Sequence, residues 1–382
     1  ITSPPRQMAD LDSRIAHARH QARQLYHSLE VMQSKVQDAT LAQVARDVAS
    51  IPRNYSNLEL YNTLKGHHTK VAQVQWSRDS ASLLTASQDG NMLLWDAVTG
   101  FKRSVIRLNN PWVLTCAIAP AGHLAASGGL DNACTIYRVP SHAPYTTTGY
   151  ETIFKGHTAY VSACEFVNDV SVLTASGDMS CALWDIHKEA KVRDFHDHSG
   201  DVLSLNYGYE SGVFISGASD GMAKVWDPRL KGPTRSFAVS QSDVTSLASF
   251  PDGNCFVSGS DDGMVRWFDL RTDCVISSYS MSAHFSDKSP TLQQSDKNSV
   301  YSSPSHEFDN PGIISLDFSK SGRLLYVCYS DFGCMIWDTL KNDIIGTVGN
   351  DHMGKINQVN VSPDGIAVAT ASWDSTIKVW SV

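Results

Sequence analysis

Two different apolar periods divide this chain. Between residues 8 and 39, Leu11, Ile15, Ala18, Ala22, Leu25, Leu29, Met32 and Val36 recur at alternating spacings of four and three. That spacing lines one side of an α-helix for four heptads and predicts a coiled-coil seam. Arg14, Arg19, Arg23, Gln33 and Lys35 fall on the other faces, so the helix is amphipathic. Small Ala18 and Ala22 at the seam suit close packing against a separate partner helix better than a fold back onto the same chain. A second short helix reads from Leu41 through Val44, Ala45 and Val48 and stops before Pro52, since proline cannot continue a helix. From about residue 54 the helical period gives way to short β-prone runs such as Leu93-Leu94-Trp95, Ala182-Leu183-Trp184 and Ile377-Lys378-Val379-Trp380. An Asp-centred turn precedes each, as in Gln88-Asp89-Gly90-Asn91, the pattern of short strands joined by tight turns.

These runs repeat. An aromatic followed by Asp or a substitute closes each unit: Trp95-Asp96, Tyr137-Arg138, Trp184-Asp185, Trp226-Asp227, Phe268-Asp269, Trp337-Asp338 and Trp380-Ser381, at intervals of 42, 47, 42, 42, 69 and 43 residues. Six residues before each aromatic stands an Asp: Asp89, Asp131, Asp178, Asp220, Asp262, Asp331 and Asp374. Gly66-His67, Gly156-His157, Asp197-His198 and Asp351-His352 open units. The period and both signatures resemble the WD-repeat family, whose unit is a four-stranded blade. The expected fold is therefore all-β, a seven-bladed WD-repeat β-propeller over residues 54–382, with an N-terminal α-helical coiled-coil segment and linker over 1–53. Tyr55 to Leu64 alternates and precedes the first Gly-His. It is expected to supply the outer strand of the last blade and close the ring. The resemblance further implies a hydrogen-bonded tetrad bracing each blade, His67, Ser87, Asp89 and Trp95 in the first and His157, Ser176, Asp178 and Trp184 in the third. A buried Asp needs such partners, so these residues read as structural rather than catalytic or metal-binding.

The fifth interval is 27 residues longer than the common 42, which marks an insertion over residues 280–308. It is Ser-rich, poor in strand formers, and contains Ser289-Pro290 and Ser303-Pro304. It reads as a surface loop. Ser289 and Ser303 are candidate phosphorylation sites, where phosphate would gather negative charge. A passive insertion is the competing reading.

With 42% hydrophobic and 18% charged residues the chain has the composition of a globular protein, and no run approaches the ~18 apolar residues of a membrane span. It opens at Ile1, which leaves a segment upstream an open question. The net charge of −8 is carried by the propeller: residues 1–53 hold seven Lys/Arg against five Asp/Glu, the rest 24 against 34. An acidic body argues against a nucleic-acid track, which is normally basic. The eight cysteines show neither C-x-x-C pairs nor zinc spacing, and read as reduced thiols in the cytosol. There is no G-x-x-x-x-G-K-[ST] or H-E-x-x-H motif, and Gly128-Gly129-Leu130-Asp131 belongs to a blade turn. No enzyme activity, cofactor or metal is expected.

Binding remains. One rim of a propeller should carry Lys70, Tyr160, Asp201, Asp243 and Lys355, three residues after the opening histidine or its equivalent. It should also carry Gln88, Leu130, Asp261 and Trp373, each just before a turn Asp. Trp373 stands where turns prefer polar residues, and Trp112 follows Asn110-Pro111; both read as contact anchors.

Several strings go beyond the repeat: Ala86-Ser87-Gln88-Asp89-Gly90, Gly128-Gly129-Leu130-Asp131-Asn132, Cys181-Ala182-Leu183-Trp184-Asp185-Ile186, Phe318-Ser319-Lys320-Ser321-Gly322-Arg323-Leu324-Leu325 and Ala371-Ser372-Trp373-Asp374-Ser375. With Asp38-Ala39-Thr40-Leu41 they resemble the β subunits of heterotrimeric G proteins across about residues 10–382 outside the insertion. The insertion resembles that of the fungal pheromone-pathway type. The resemblance implies a non-enzymatic signalling scaffold downstream of a G-protein-coupled receptor. Its seam residues Leu11 to Val36 would pair with a γ subunit. The GDP-loaded α subunit or effectors would bind Lys70, Asn91, Leu93, Trp112, Leu114, Leu130, Asn132, Tyr160, Asp201, Leu203, Asp243, Asp261 and Trp373. Departures from the family pattern stand at His68, Ala72, Leu114, Leu203 and Ser330, and bear on partner choice. Because the chain ends Val379-Trp380-Ser381-Val382, without a prenylation box, attachment to the cytoplasmic face of the plasma membrane would come only through a lipidated γ subunit. The competing readings are a WD adaptor of a ubiquitin ligase or ribosome-associated complex, and a propeller hydrolase.

Overall fold

The computed structural model describes residues 19–21, 23–25, 28, 48–51, 58–140, 149–209, 211–272, 275–282, 284 and 310–381. The chain forms two units, residues 1–50 and 51–382. In the first, the described residues from 19 to 28 are helical, and Leu25 is exposed. The other seam positions, Leu11, Ile15, Ala18, Ala22, Leu29, Met32 and Val36, lie outside the described residues. So does the expected second helix up to Val48, which sits in a bend.

The second unit consists of seven four-stranded antiparallel sheets, the seven-bladed propeller expected from the repeat. In blade 1 the strands are Val71–Trp76, Ser82–Ser87, Asn91–Asp96 and Lys102–Arg107, here called a to d. The inner strands pack on one another in sequence order, and that of blade 7, Ile356–Val361, closes on that of blade 1. Each blade is covered on both faces by its neighbours, so strands b and c bury both sets of side chains rather than alternating; all six residues of Ser82–Ser87 are buried. Strand d faces solvent and alternates, as in Ala190–His196 of blade 3.

The ring closes within blade 7. Its outer strand is Glu59–Lys65, paired antiparallel with Thr376–Ser381 so that Leu64 lies opposite Ile377. The sequence placed this strand at Tyr55 to Leu64; residues 52–57 lie outside the described set. Leu64 is 1% exposed and packs with Val71, Trp95 and Ala369, joining the beginning and end of the repeat array. Leu64→Ala is expected to lower the unfolding free energy by about 2–4 kcal/mol through the cavity it leaves. A urea titration followed by tryptophan fluorescence would read this as a lower midpoint.

The inner strands are sheet edges, and their outward amides are met by side chains of the preceding blade. Gln73 Oε1 accepts from Cys116 N at 2.7 Å, Thr115 Oγ1 from Cys164 N at 3.0 Å and Ser246 Oγ from Leu316 N at 3.1 Å. Ser315 Oγ accepts from Val359 N at 3.2 Å and Gln358 Oε1 from Val74 N at 2.7 Å, which carries the chain of latches across the closure. A buried backbone amide left without an acceptor costs about 1–3 kcal/mol, so the polar lining of the channel has a structural cause.

Among the described residues four blades carry full tetrads, and the hydroxyl member differs from the one expected. In blade 1, His67 Nδ1 lies 3.0 Å from Asp89 Oδ2, His67 Nε2 lies 2.8 Å from Thr85 Oγ1, and Trp95 Nε1 donates to Thr85 Oγ1 at 2.9 Å. Blade 3 repeats this with His157, Asp178, Thr174 and Trp184, blade 4 with His198, Asp220, Ser216 and Trp226, and blade 7 with His352, Asp374, Thr370 and Trp380. Ser87 and Ser176 are therefore not tetrad members. They share a face with Thr85 and Thr174 but sit two residues further along strand b, beyond the indole N–H. Ser87 Oγ instead donates to Lys70 O at 2.9 Å, and Ser176 Oγ to Ala159 O at 3.1 Å. Burial alone would raise the Asp89 carboxyl, but bonds from His67 and from the amides of His68 and Asn91 hold it down at about 2.

The insertion leaves the ring at a pinned neck. Strand d of blade 5 ends at Ser280, whose Oγ donates to Asn310 Oδ1 at 3.2 Å, while Ser282 N donates to the same oxygen at 3.0 Å. Ser289 and Ser303 lie outside the described residues.

Candidate protein-binding face

In a four-stranded antiparallel blade the b–c turn and the link from strand d to the next strand a must emerge at the same end. A repeated backbone bond ties them together there. The residue before each turn Asp donates its N–H to the residue before strand a: Gln88 to Lys70, Leu130 to Trp112, Gly177 to Tyr160, Ser219 to Asp201, Asp261 to Asp243, Ser330 to Gly312 and Trp373 to Lys355, at 2.9–3.1 Å. The two kinds of rim position expected from the sequence are thus coupled in pairs, one pair per blade, on one face.

Trp373 is 43% exposed and sits between two cations. Lys70 Nζ is 3.7 Å from its ring centroid and Lys355 Nζ 5.4 Å, within the range of a cation–π attraction. Across the face, Asp243 and Asp261 are exposed, and Asp201 accepts the Tyr160 hydroxyl at 2.9 Å. Burial, with Asp201 beside it, pushes the Tyr160 phenol up to about 12, so it stays a hydrogen-bond donor. Trp112 and Leu130 are also exposed. The face is therefore divided into a cationic, indole-centred side at blades 7 and 1 and an acidic side at blades 4 and 5. A protein partner with opposite charges on one surface fits such a division.

Asn91 and Asn132 flank turns and are half-buried. Asn132 has φ 59°, a left-handed conformation asparagine tolerates, and donates Nδ2 to Thr158 O at 3.1 Å. Leu114 and Leu203 are half-buried and line the channel mouth with Ala72, Thr245, Ile314 and Asn357, around a cavity of about 340 Å³. Leu93 does not belong with them. Its side chain is 3% exposed, inside the cluster of Leu64, Val71 and Trp95, because strand c is covered on both faces. Lys355 takes the rim position expected of it, and Met353 joins the face although it was not expected there. Met353 follows the blade 7 tetrad histidine in the same loop and is 98% exposed; its signal was the position after the histidine, which His68 shares in blade 1.

Among the described residues no group of three or more His, Cys, Asp and Glu is placed to hold a metal. The described cysteines are free, and all but Cys255 are buried. No described helix is long and apolar enough to cross a membrane.

Comparison with known proteins agrees. The family model for G protein beta WD-40 repeat proteins matches residues 12–290, and the WD domain, G-beta repeat model matches 297–338 and 345–381. The chain is 45% identical to a guanine nucleotide-binding protein subunit beta of Saccharomyces cerevisiae, covering 97% of this chain and 91% of that one. It is 42% identical to the subunit beta of Dictyostelium discoideum, over 98% and 99% of the two chains. It is 44% identical to subunit beta-1 of the G(I)/G(S)/G(T) protein of Homarus americanus, over 98% and 100%. The crystal structure of the WD40 beta propeller domain of Doa1 superposes with a TM-score of 0.67 at 19% identity, covering 86% of this chain and 98% of that one, a likeness of fold alone. The chain belongs to the G protein β family of WD-40 repeat proteins, the signal-transducing β subunits of guanine nucleotide-binding proteins.

Proposed function

We propose that the chain is a non-enzymatic scaffold whose N-terminal helix pairs with a small helical γ subunit, while the rim face binds a GDP-loaded α subunit or, once that departs, an effector. The observation that carries the binding-face reading is Trp373 held between Lys70 and Lys355, on a rim whose acidic side lies at blades 4 and 5. An exposed indole with its approach fixed by two cations is an anchor of the kind that dominates protein interfaces. One face cannot hold two partners whose footprints overlap, so nucleotide exchange on the α subunit would free it by competition. The membrane is reached through lipid on the γ subunit, at the cytoplasmic face of the plasma membrane. The heptads of residues 8–39 support the γ pairing. Phosphorylation of Ser289 or Ser303 would add charge to the insertion.

Co-purification from detergent-solubilised membranes tests this. Chain 1–382 is expected to retain a small helical partner that a form lacking residues 1–39 loses, and to capture a GTPase with GDP but not with a non-hydrolysable GTP analogue. Nucleotide-independent capture of ligase or ribosomal components would replace this reading with that of a generic WD adaptor.

A further inference from the structure

The residue after the turn Asp takes a left-handed backbone in six blades: Gly90, Asn132, Met179, Gly221, Gly263 and Ser375 have φ between 59° and 81°. Glycine enters that region freely and asparagine tolerates it, whereas a longer side chain is held there at a cost. At Gly221 and Gly263 the choice is also steric, because a Cβ would run into Ser240 O and Asn310 Cβ. Blade 3 has room for a side chain and carries Met179, the one apolar residue among the described non-glycine residues of positive φ. The turn fixes the backbone on both sides of it: Asp178 Oδ1 accepts from Ser180 N at 3.1 Å and Asp178 Oδ2 from Thr158 N at 3.0 Å. Met179 is 45% exposed and belongs to neither apolar cluster of blade 3, so the core does not account for a methionine here. Its place on the rim does. Asn132 Nδ2 donates to Thr158 O at 3.1 Å, so the link that carries Thr158 and Tyr160 ties the turn of blade 2 to the turn of blade 3. Trp112 and Leu130 are exposed on one side of that link and Met179 on the other. Together they form an apolar strip on blades 2 and 3, between the cationic side of the face and the acidic one.

We propose that Met179 is a specificity-determining contact of the rim, an exposed thioether that meets an apolar side chain of the α subunit; this rests on the reading of the face as that subunit's docking surface. Strain at a residue the fold does not need is the counterpart of a contact made only in the complex. The unbranched thioether adapts to apolar surfaces of different shape, which suits a face that exchanges one partner for another. The chain supplies its own control. Glycine at this position, as in blades 1, 4 and 5, removes the side chain and the strain together, whereas alanine removes the side chain and keeps a Cβ on the strained backbone.

The test titrates the full chain, as wild type, Met179→Gly, Met179→Ala and Trp373→Ala, against a fluorescently labelled GDP-loaded α subunit, with a thermal unfolding curve for each. Both Met179 variants are expected to bind about 5- to 30-fold more weakly. Met179→Gly should at the same time raise Tm by about 1–3 °C, while Met179→Ala stays near wild type. A methionine that merely shaped the turn would not give tighter folding and weaker binding from one substitution. Unchanged affinity in both Met179 variants beside a fall for Trp373→Ala would overturn the role of Met179 and leave the face standing. Unchanged affinity in all three variants, or no binding by wild type, would overturn the face and the contact together. A lower Tm for Met179→Gly would make Met179 a structural part of its turn and overturn the proposal as well.

Discussion

Trp373→Ala is expected to weaken capture of the GDP-loaded α subunit by about 30- to 1,000-fold, which corresponds to ~2–4 kcal/mol for loss of a central aromatic anchor. The indole is exposed but not loose, because its backbone N–H is tied to Lys355 O at 2.9 Å and its ring lies under Lys70 Nζ. That pre-organisation lowers the entropy lost on binding. Truncation would remove the ring and also release both ammonium groups from the position where they present donors to a partner. The indole contributes to the face rather than to the core, so the Tm of the variant should stay close to wild type. Equilibrium titration by fluorescence anisotropy, with Tm as the control, separates the outcomes: unchanged affinity would remove Trp373 from the interface, and a fall in both would make it structural.

Thr85→Val is expected to destabilise the propeller by about 2–5 kcal/mol. Valine keeps the shape of threonine but removes the hydroxyl that meets both His67 Nε2 and Trp95 Nε1. Two buried polar groups would lose their partner, at ~1–3 kcal/mol each. Thr85→Ser should restore most of the loss, as blade 4 already uses Ser216 in this role. Ser87→Ala should cost only about 0.5–1.5 kcal/mol, because Ser87 makes bonds to loop carbonyls and stands outside the tetrad. Denaturant unfolding of the three variants gives the order. If Ser87→Ala proved the more damaging change, the assignment of the hydroxyl member would be wrong.

Much of the fold was legible because WD blades write themselves locally. A turn Asp accepts the amide two residues on, as Asp89 does from Asn91 N at 2.9 Å, and its spacing to the strand c aromatic is a short-range pattern that recurs in every unit. Closure was legible for the same reason: the alternating segment before Gly66 had no partner strand in its own neighbourhood, while Trp380 ended a blade one strand short. The b–c turns and d–a links had to share a rim by topology alone, which placed Lys70, Trp112, Tyr160 and Trp373 on one face before any side chain was seen.

Other features depended on three-dimensional reach. Residues 83, 85 and 87 all face the indole side of strand b, and the reach of the Trp95 N–H, which meets Thr85 and stops short of Ser87, decides between the two hydroxyls. Leu93 was assigned to the face from family position, yet its side chain is sealed between blades 7 and 1, a burial that depends on the adjacent blade. Lys355 acquires its role from Trp373. The sequence alone thus determined the number of blades, their order, the closing strand and which loop positions share one rim, since these follow from short-range periodicity and chain connectivity. Which hydroxyl braces a blade and which rim residue touches which were decided only when the chain packed in three dimensions.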